Sequence, residues 1–265
     1  MTASRRSFIA GVGGGIFLDI FRQVTNTHQI SVEFYFGDEV ENAADDWAIE
    51  RDVSFEKIRT NLINYTTEAL SSIDAPNSEL LIDVTVHTDS HIDMDSVQEE
   101  AGDSIFEKWR NYVDNSETDP SPDADSIILL TTEDHHKDGG RAEIPCQSCS
   151  SHDYSTGVVY DFNPYDCMRL YEEENLTAEE DPIPKLDYLS VTTVLHEVGH
   201  TIGLEHSDGT VKEDSEFALR ATLMLPNLYA RYDLSRRENY RLVEYDATID
   251  EINTRSFSFP FPDLL

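Results

Sequence analysis

The sequence predicts a mixed α/β fold, one domain with two lobes in which a twisted sheet carries helices and a smaller, mostly irregular or helical lobe follows. Three observations carry that expectation. Stretches of two-residue apolar alternation interleave with stretches of helical periodicity. Ile127-Ile128-Leu129-Leu130 is a continuous apolar run, the mark of a central strand covered on both faces. The chain's 265 residues, 39% of them hydrophobic, suffice to bury one sizeable core.

The elements follow in order. Residues 29–36 alternate Ile30, Val32, Phe34 and Phe36 on one face, which predicts a half-buried strand. From Ser54, the apolar residues Phe55, Ile58, Leu62, Tyr65 and Ala69 recur at helical spacing and end near Asp74-Ala75-Pro76. A strand is expected from Leu80 to His87. A second helix is expected from Ser96, with Val97, Ala101, Ile105, Trp109 and Val113 on one stripe. The polar stretch 114–124 reads as a loop, and 127–130 as the central strand. Val158-Val159-Tyr160 is a further short strand. The next helix starts after Asp187 or Ser190, either of which can cap it, and buries Val191, Val194, Leu195, Val198 and Ile202. Beyond residue 206 the chain reads as polar and irregular until a closing helix over 235–247, carrying Tyr240, Leu242, Val243 and Tyr245.

Charge excludes some partners. Fifty-three acidic residues against 19 basic ones give a formal net charge of −34, a field that repels nucleic acid and anionic lipid. The acids are spread along the chain, and the apolar periodicity argues against a disordered acidic protein. Only five of the basic residues are lysine. This surface resembles that of proteins from salt-loving microbes of the haloarchaeal type, where molar salt shortens the Debye length to about 3 Å and removes most self-repulsion.

At the N-terminus, Ser4-Arg5-Arg6-Ser7-Phe8-Ile9 resembles a twin-arginine export signal, followed by a mild apolar run to Leu18. That run is too short to span a membrane, which takes about 20 apolar residues. Residues 1–27 are therefore expected to be an export signal or a disordered arm. The protein is expected to be secreted or at the cell surface, with the cytoplasm as the alternative. Cys146, Cys149 and Cys167 leave two readings open: one disulfide between Cys167 and a member of the pair, or a structural zinc site completed by His152. His135 and His136 read as a hydrated loop pair, and Asp119, Asp123 and Asp125 as solvated surface in preference to a calcium site.

Residues 196–206 read HEVGHTIGLEH, the pattern H-E-x-x-H-x-x-G-x-x-H. On a helix, His196 and His200 lie one turn apart on the same face and can share one ion. Gly203 can adopt the left-handed conformation that ends a helix, letting His206 swing back as a third ligand. Three neutral imidazoles leave the double charge of Zn2+ intact and a fourth position open for water, whose pKa falls to about 7. Glu197, beside the first ligand, is placed to take that water's proton.

The extended motif resembles the metzincin clan of zinc endopeptidases, which adds a methionine-containing turn beneath the metal. The candidate is Met224 in Ala221-Thr222-Leu223-Met224-Leu225-Pro226. Ser207 after His206, and Pro226 two places after the methionine, lean toward the matrixin and adamalysin branches. The astacin and serralysin branches carry a tyrosine, a possible extra zinc ligand, where Pro226 stands. The resemblance covers residues 28–265 in organisation and implies an upper lobe over 28–206 and a lower lobe over 207–265. It also implies that Gly140, Arg141 and Ala142 belong to the edge strand lining the substrate cleft, where a peptide binds by adding itself as an extended strand. The 17 residues between His206 and Met224 would shape the primed side, and Leu225 to Tyr229, with Pro226, part of the S1′ wall.

The implied function is a zinc-dependent endopeptidase, with Glu197 as general base and a peptide or protein as substrate. It is expected to be a monomer without a stable membrane span. Alternatives are an intracellular zinc peptidase acting on short peptides and a non-catalytic, zinc-stabilised surface protein. Fewer than thirty residues precede the first strand and none is cysteine, so no folded pro-domain or zinc-blocking thiolate is expected.

Overall fold

The computed structural model describes residues 26–40, 55–76, 78–116, 120, 124–133, 140–144, 154–163, 189–215, 218–225, 240–249, 251–252 and 255–258. The export-like segment at 4–9, the three cysteines, His135, His136, His152, Asp119, Asp123, Asp187 and Pro226 lie outside these residues.

The sheet is built on β1 (Asn26–Gly37), longer than the apolar alternation alone marks. Its order is β2 (Ser78–Ile92), β1, β3 (Ser126–Leu130), β5 (Ser155–Val159), β4 (Gly140–Ala142). β1 pairs in parallel with β2 and β3, and β3 with β5; β4 joins antiparallel at the end of this row. β9 (Arg255–Ser258) pairs antiparallel with Asn26–Gln29, below the stretch of β1 that β3 occupies. The C-terminal segment thereby covers backbone that would otherwise be an open edge.

Two hydrophobic clusters, one on each face, make this a three-layer structure. In β1, Ile30, Val32, Phe34 and Phe36 point to one cluster and Tyr35 to the other. In β3, Ile128 and Leu130 oppose Ile127 and Leu129 in the same way, and all four are fully buried. The first face is covered by α1 (Phe55–Ser71), through Ile58, Leu62, Tyr65 and Ala69, and by α4 (Leu189–Thr201), through Val191, Val194, Leu195 and Val198. The second is covered by α2 (Met94–Glu99) and α3 (Ile105–Asn115), centred on the fully buried Trp109. Burying side chains of this size stabilises by roughly 1.5–3 kcal/mol each.

Four expectations need correction. The helix predicted from Ser96 is two helices, and Ala101 is exposed between them. Gly102 has φ +142°, and Ser104 caps α3 by accepting from the Glu107 amide at 3.2 Å. Ser104-x-x-Glu107 is a capping-box spacing, a legible signal that the apolar stripe overrode. The stretch after residue 206 is not merely irregular: β6 (Val211–Ser215) and β7 (Ala218–Thr222) form an antiparallel pair. The closing helix predicted over 235–247 is, at Tyr240–Glu244, strand β8, parallel to β7. Tyr, Leu and Val suit either structure, and five residues are too few to separate a period of 2 from one of 3.6. Asp125, read as solvated, is buried instead. Its carboxylate accepts from the Ser31 amide and hydroxyl, both at 2.7 Å, joining β3 to β1. Among the described residues no helix is long and apolar enough to cross a membrane.

Candidate metal centre

α4 runs beneath the sheet with its apolar side in the core, so its other residues reach the site from a fixed frame. Val191, Val194, Val198 and Ile202 are at most 1% exposed. Thr201 fastens the C-terminal end: its hydroxyl donates to the Val198 carbonyl at 2.8 Å and lies 2.6 Å from the Ser126 hydroxyl of β3, both buried. The helix then ends as its sequence predicts. Gly203 has φ +105°, its amide donates to the His200 carbonyl at 2.9 Å, and the Leu204 amide donates to the Gly199 carbonyl at 2.9 Å. This paired closure needs a residue in the left-handed region at the turn, where glycine has no Cβ penalty.

The reversal carries His206 back over the helix. Its Nε2 lies 3.1 Å from Nε2 of His196 and 3.0 Å from Nε2 of His200. The three ligand atoms fall within 4.8 Å of one another, the one such group among the described residues. Zinc–nitrogen bonds of about 2.0–2.1 Å at tetrahedral angles hold two nitrogens roughly 3.3 Å apart. The donor set therefore fits a zinc ion in both chemistry and spacing.

The second nitrogens decide which way each ring works. His196 Nδ1 lies 2.6 Å from the Leu223 carbonyl, and His200 Nδ1 lies 2.8 Å from the Leu204 carbonyl. A carbonyl only accepts, so each Nδ1 carries the proton and each Nε2 presents its lone pair to the centre. His196 and His200 are buried, at 7% exposure each, whereas His206 is exposed.

Met224 lies under the helix. It occupies a turn closed by the Leu225 amide on the Thr222 carbonyl at 3.3 Å, and is 1% exposed. Thr222 ties this turn to the His206 loop, accepting from the Thr210 amide on its hydroxyl at 2.8 Å. A β-carbon on Gly199 would overlap Met224 Sδ and stand 3.0 Å from Tyr245 Cε1. Alanine is the better helix former by about 1 kcal/mol, but this crowding should reverse the sign. Gly199→Ala is expected to lower stability by about 1–3 kcal/mol, read as a fall in the denaturation midpoint. An unchanged or raised midpoint would mean that Met224 yields at no cost.

Tyr245, which the sequence marks only as part of the expected closing helix, is a clamp. Its buried hydroxyl donates to the Leu195 carbonyl, immediately before His196, and its amide donates to Ser72 Oγ at 2.8 Å, just past α1. Burial pushes the phenol above its ordinary range, and the negative charge of nearby Glu197 adds to the shift, so it stays a donor. Neither this contact nor the Leu223 and Leu204 carbonyls has a local signature, since each joins distant segments or uses backbone.

Glu197 is 4% exposed and faces β4, where Gly140 packs against its side chain. The edge-strand residues alternate as a strand requires. Gly140 and Ala142 approach α4 and its neighbourhood, while the Arg141 guanidinium lies over the Phe106 ring of α3, 5.1 Å from its centroid. Of the residues predicted to form the site, His196, Glu197, His200, His206, Met224 and Gly140 thus come together. Arg141 turns its side chain to the other face, and Pro226 is outside the described residues.

Residues 60–207 match the family described as "Metallo-peptidase family M12B Reprolysin-like". No curated protein matches the chain. Among solved structures it is similar to metalloproteinase-II from Bacteroides fragilis, at 19% identity and a TM-score of 0.40 over 68% of this chain. It is also similar to a chain in a chaperone–substrate complex, at 14% identity and a TM-score of 0.34 over 76% of this chain. The chain spans 44% and 28% of the lengths of those two, and likenesses this loose bear on neither mechanism nor substrate.

Proposed function

The chain belongs to the reprolysin-like metallopeptidases of family M12B, of the metzincin type, and from that premise we propose a zinc-dependent endopeptidase with Glu197 as its general base. The observation that carries this reading is the convergence of three imidazole Nε2 atoms, two of them with their Nδ1 protons held by backbone carbonyls.

His196, His200 and His206 would hold the ion, which when bound supplies Lewis acidity toward a water molecule and a peptide carbonyl. The chain's own residues do the rest. Leu223 and Leu204 fix the tautomers of His196 and His200, and the Met224 turn supports the helix from below. β4 ends its row of the sheet and would offer its other edge to an extended peptide, whose main chain pairs with it as an added strand. Glu197, beside that edge, takes a proton from the attacking water and returns it to the departing amine. Its low exposure limits competition from bulk solvent. The test is hydrolysis of an unfolded protein and of short peptides in multimolar salt. Internal cleavage of the protein, lost with chelator and restored by zinc, is the expected result. Turnover of short peptides alone would favour the short-peptide reading, and no turnover of either would end the proposal.

We also propose export, supported by Ser4-Arg5-Arg6-Ser7-Phe8-Ile9, and operation in concentrated salt, supported by the charge of −34. Below about 0.1 M salt the Debye length reaches 10 Å or more, so the acids repel across several neighbours. Native circular dichroism and activity are expected to fall together on dialysis into dilute buffer and to return with salt. A native spectrum kept at low ionic strength would count against a salt-adapted surface.

A further inference from the structure

We propose that Gly140 sets the position of the Glu197 carboxylate by having no side chain, which makes it a positioning residue for the general base. The inference rests on the assignment of that role to Glu197 above. Gly140 opens β4, opposite Val159 of β5. A β-carbon there would lie 2.6 Å from both Cγ and Oε1 of Glu197 and 2.8 Å from its Cδ, inside the 3.0 Å limit that real Cβ atoms respect. The glycine is not needed for its backbone. Among the described residues only Gly102 and Gly203 are glycines with positive φ, and an extended strand residue can be of any type. What position 140 requires is space, and Glu197 fills it.

The surroundings decide what would give way. α4 cannot retreat as a body, since Thr201 meets Ser126 and the Tyr245 hydroxyl holds the Leu195 carbonyl. β4 cannot retreat either. It is paired along Gly140–Ala142 with β5, and the Glu143 amide donates to the Thr156 carbonyl at 2.9 Å. The movable part is the Glu197 side chain itself. Two of the three contacts are with carbons of that side chain, so relief requires a new rotamer, not a small swing of the carboxylate. The residue that would pair with substrate through its backbone thus also fixes, through its missing Cβ, where the proton acceptor stands. Misplacement of a reacting group by an ångström lowers rate far more than binding.

The test is Gly140→Ala in the full chain, loaded with zinc and assayed in salt. The variant is expected to keep one zinc per chain and to lose kcat by at least about tenfold, with KM changed less than about twofold. A merely structural or substrate-pairing role would instead raise KM. Its crystal structure should show Glu197 in a different rotamer, its carboxylate displaced by about an ångström or more, with β4 and α4 unmoved. Unchanged kcat, a rise in KM alone, or Glu197 in its original place would overturn the inference. If Gly140→Ala does not fold, Gly140→Ala/Glu197→Ala should, because the second change removes the three atoms nearest the methyl; a double variant that also fails would overturn it too. Absence of peptidase activity in the unaltered protein would end the proposed function, while the displacement of Glu197 would still decide this point.

Discussion

Glu197→Gln will bind zinc and fold as the unaltered protein does, while turning over peptide about 10²–10⁴ times more slowly. Glutamine has nearly the shape of glutamate, so it fits the space that Gly140 leaves and the 4% exposed position under β4. It cannot accept a proton at neutral pH, which isolates proton transfer from packing. His196, His200 and His206 are untouched, and the carbonyls of Leu223 and Leu204 still orient two of them. Single-turnover rates with zinc content measured on the same samples would check this. A variant with full zinc and normal turnover would remove Glu197 from the mechanism.

Removing the metal is expected to have the second large effect, on stability as well as activity. The Nε2 atoms of His196 and His200 stand 3.1 and 3.0 Å from that of His206, and both turn lone pairs toward the centre. Without a cation these lone pairs lose the charge they converge on, so the folded site is held less firmly. A ligand that binds only the folded state at a thousandfold excess over its Kd stabilises by about 4 kcal/mol. For a chain of this size each kcal/mol moves Tm by about 2–4 °C, so the loss is on the order of 10 °C. Chelation should therefore lower Tm and abolish hydrolysis, and zinc should restore both where magnesium does not, since imidazole is a poor magnesium ligand. His200→Ala should reproduce the chelated state with zinc present. Equal Tm with and without chelator would show that the three histidines hold no ion.

Parts of the fold were legible and others were not, for physical reasons. The buried strand at 127–130 was legible because double-sided burial leaves no polar alternation to obscure it. The helix over Phe55–Ser71 was legible because its buried face repeats every three to four residues. β6, β7 and β8 were missed because strands held by main-chain ladders need no side-chain signature of their own. The break at Gly102 was missed because a continuous apolar stripe outweighed a local capping signal.

The sequence by itself determined the chemistry of the centre. Ligand spacing of four residues on a helix, and a glycine that ends it at φ +105°, are local properties encoded within eleven residues. Only the tertiary structure decided how that chemistry is held. The Leu223 carbonyl on His196, the Tyr245 hydroxyl on Leu195 and the open face of Gly140 against Glu197 join segments from 27 to 57 residues apart. Such contacts follow from how strands and helices pack, and no spacing rule along the chain specifies them.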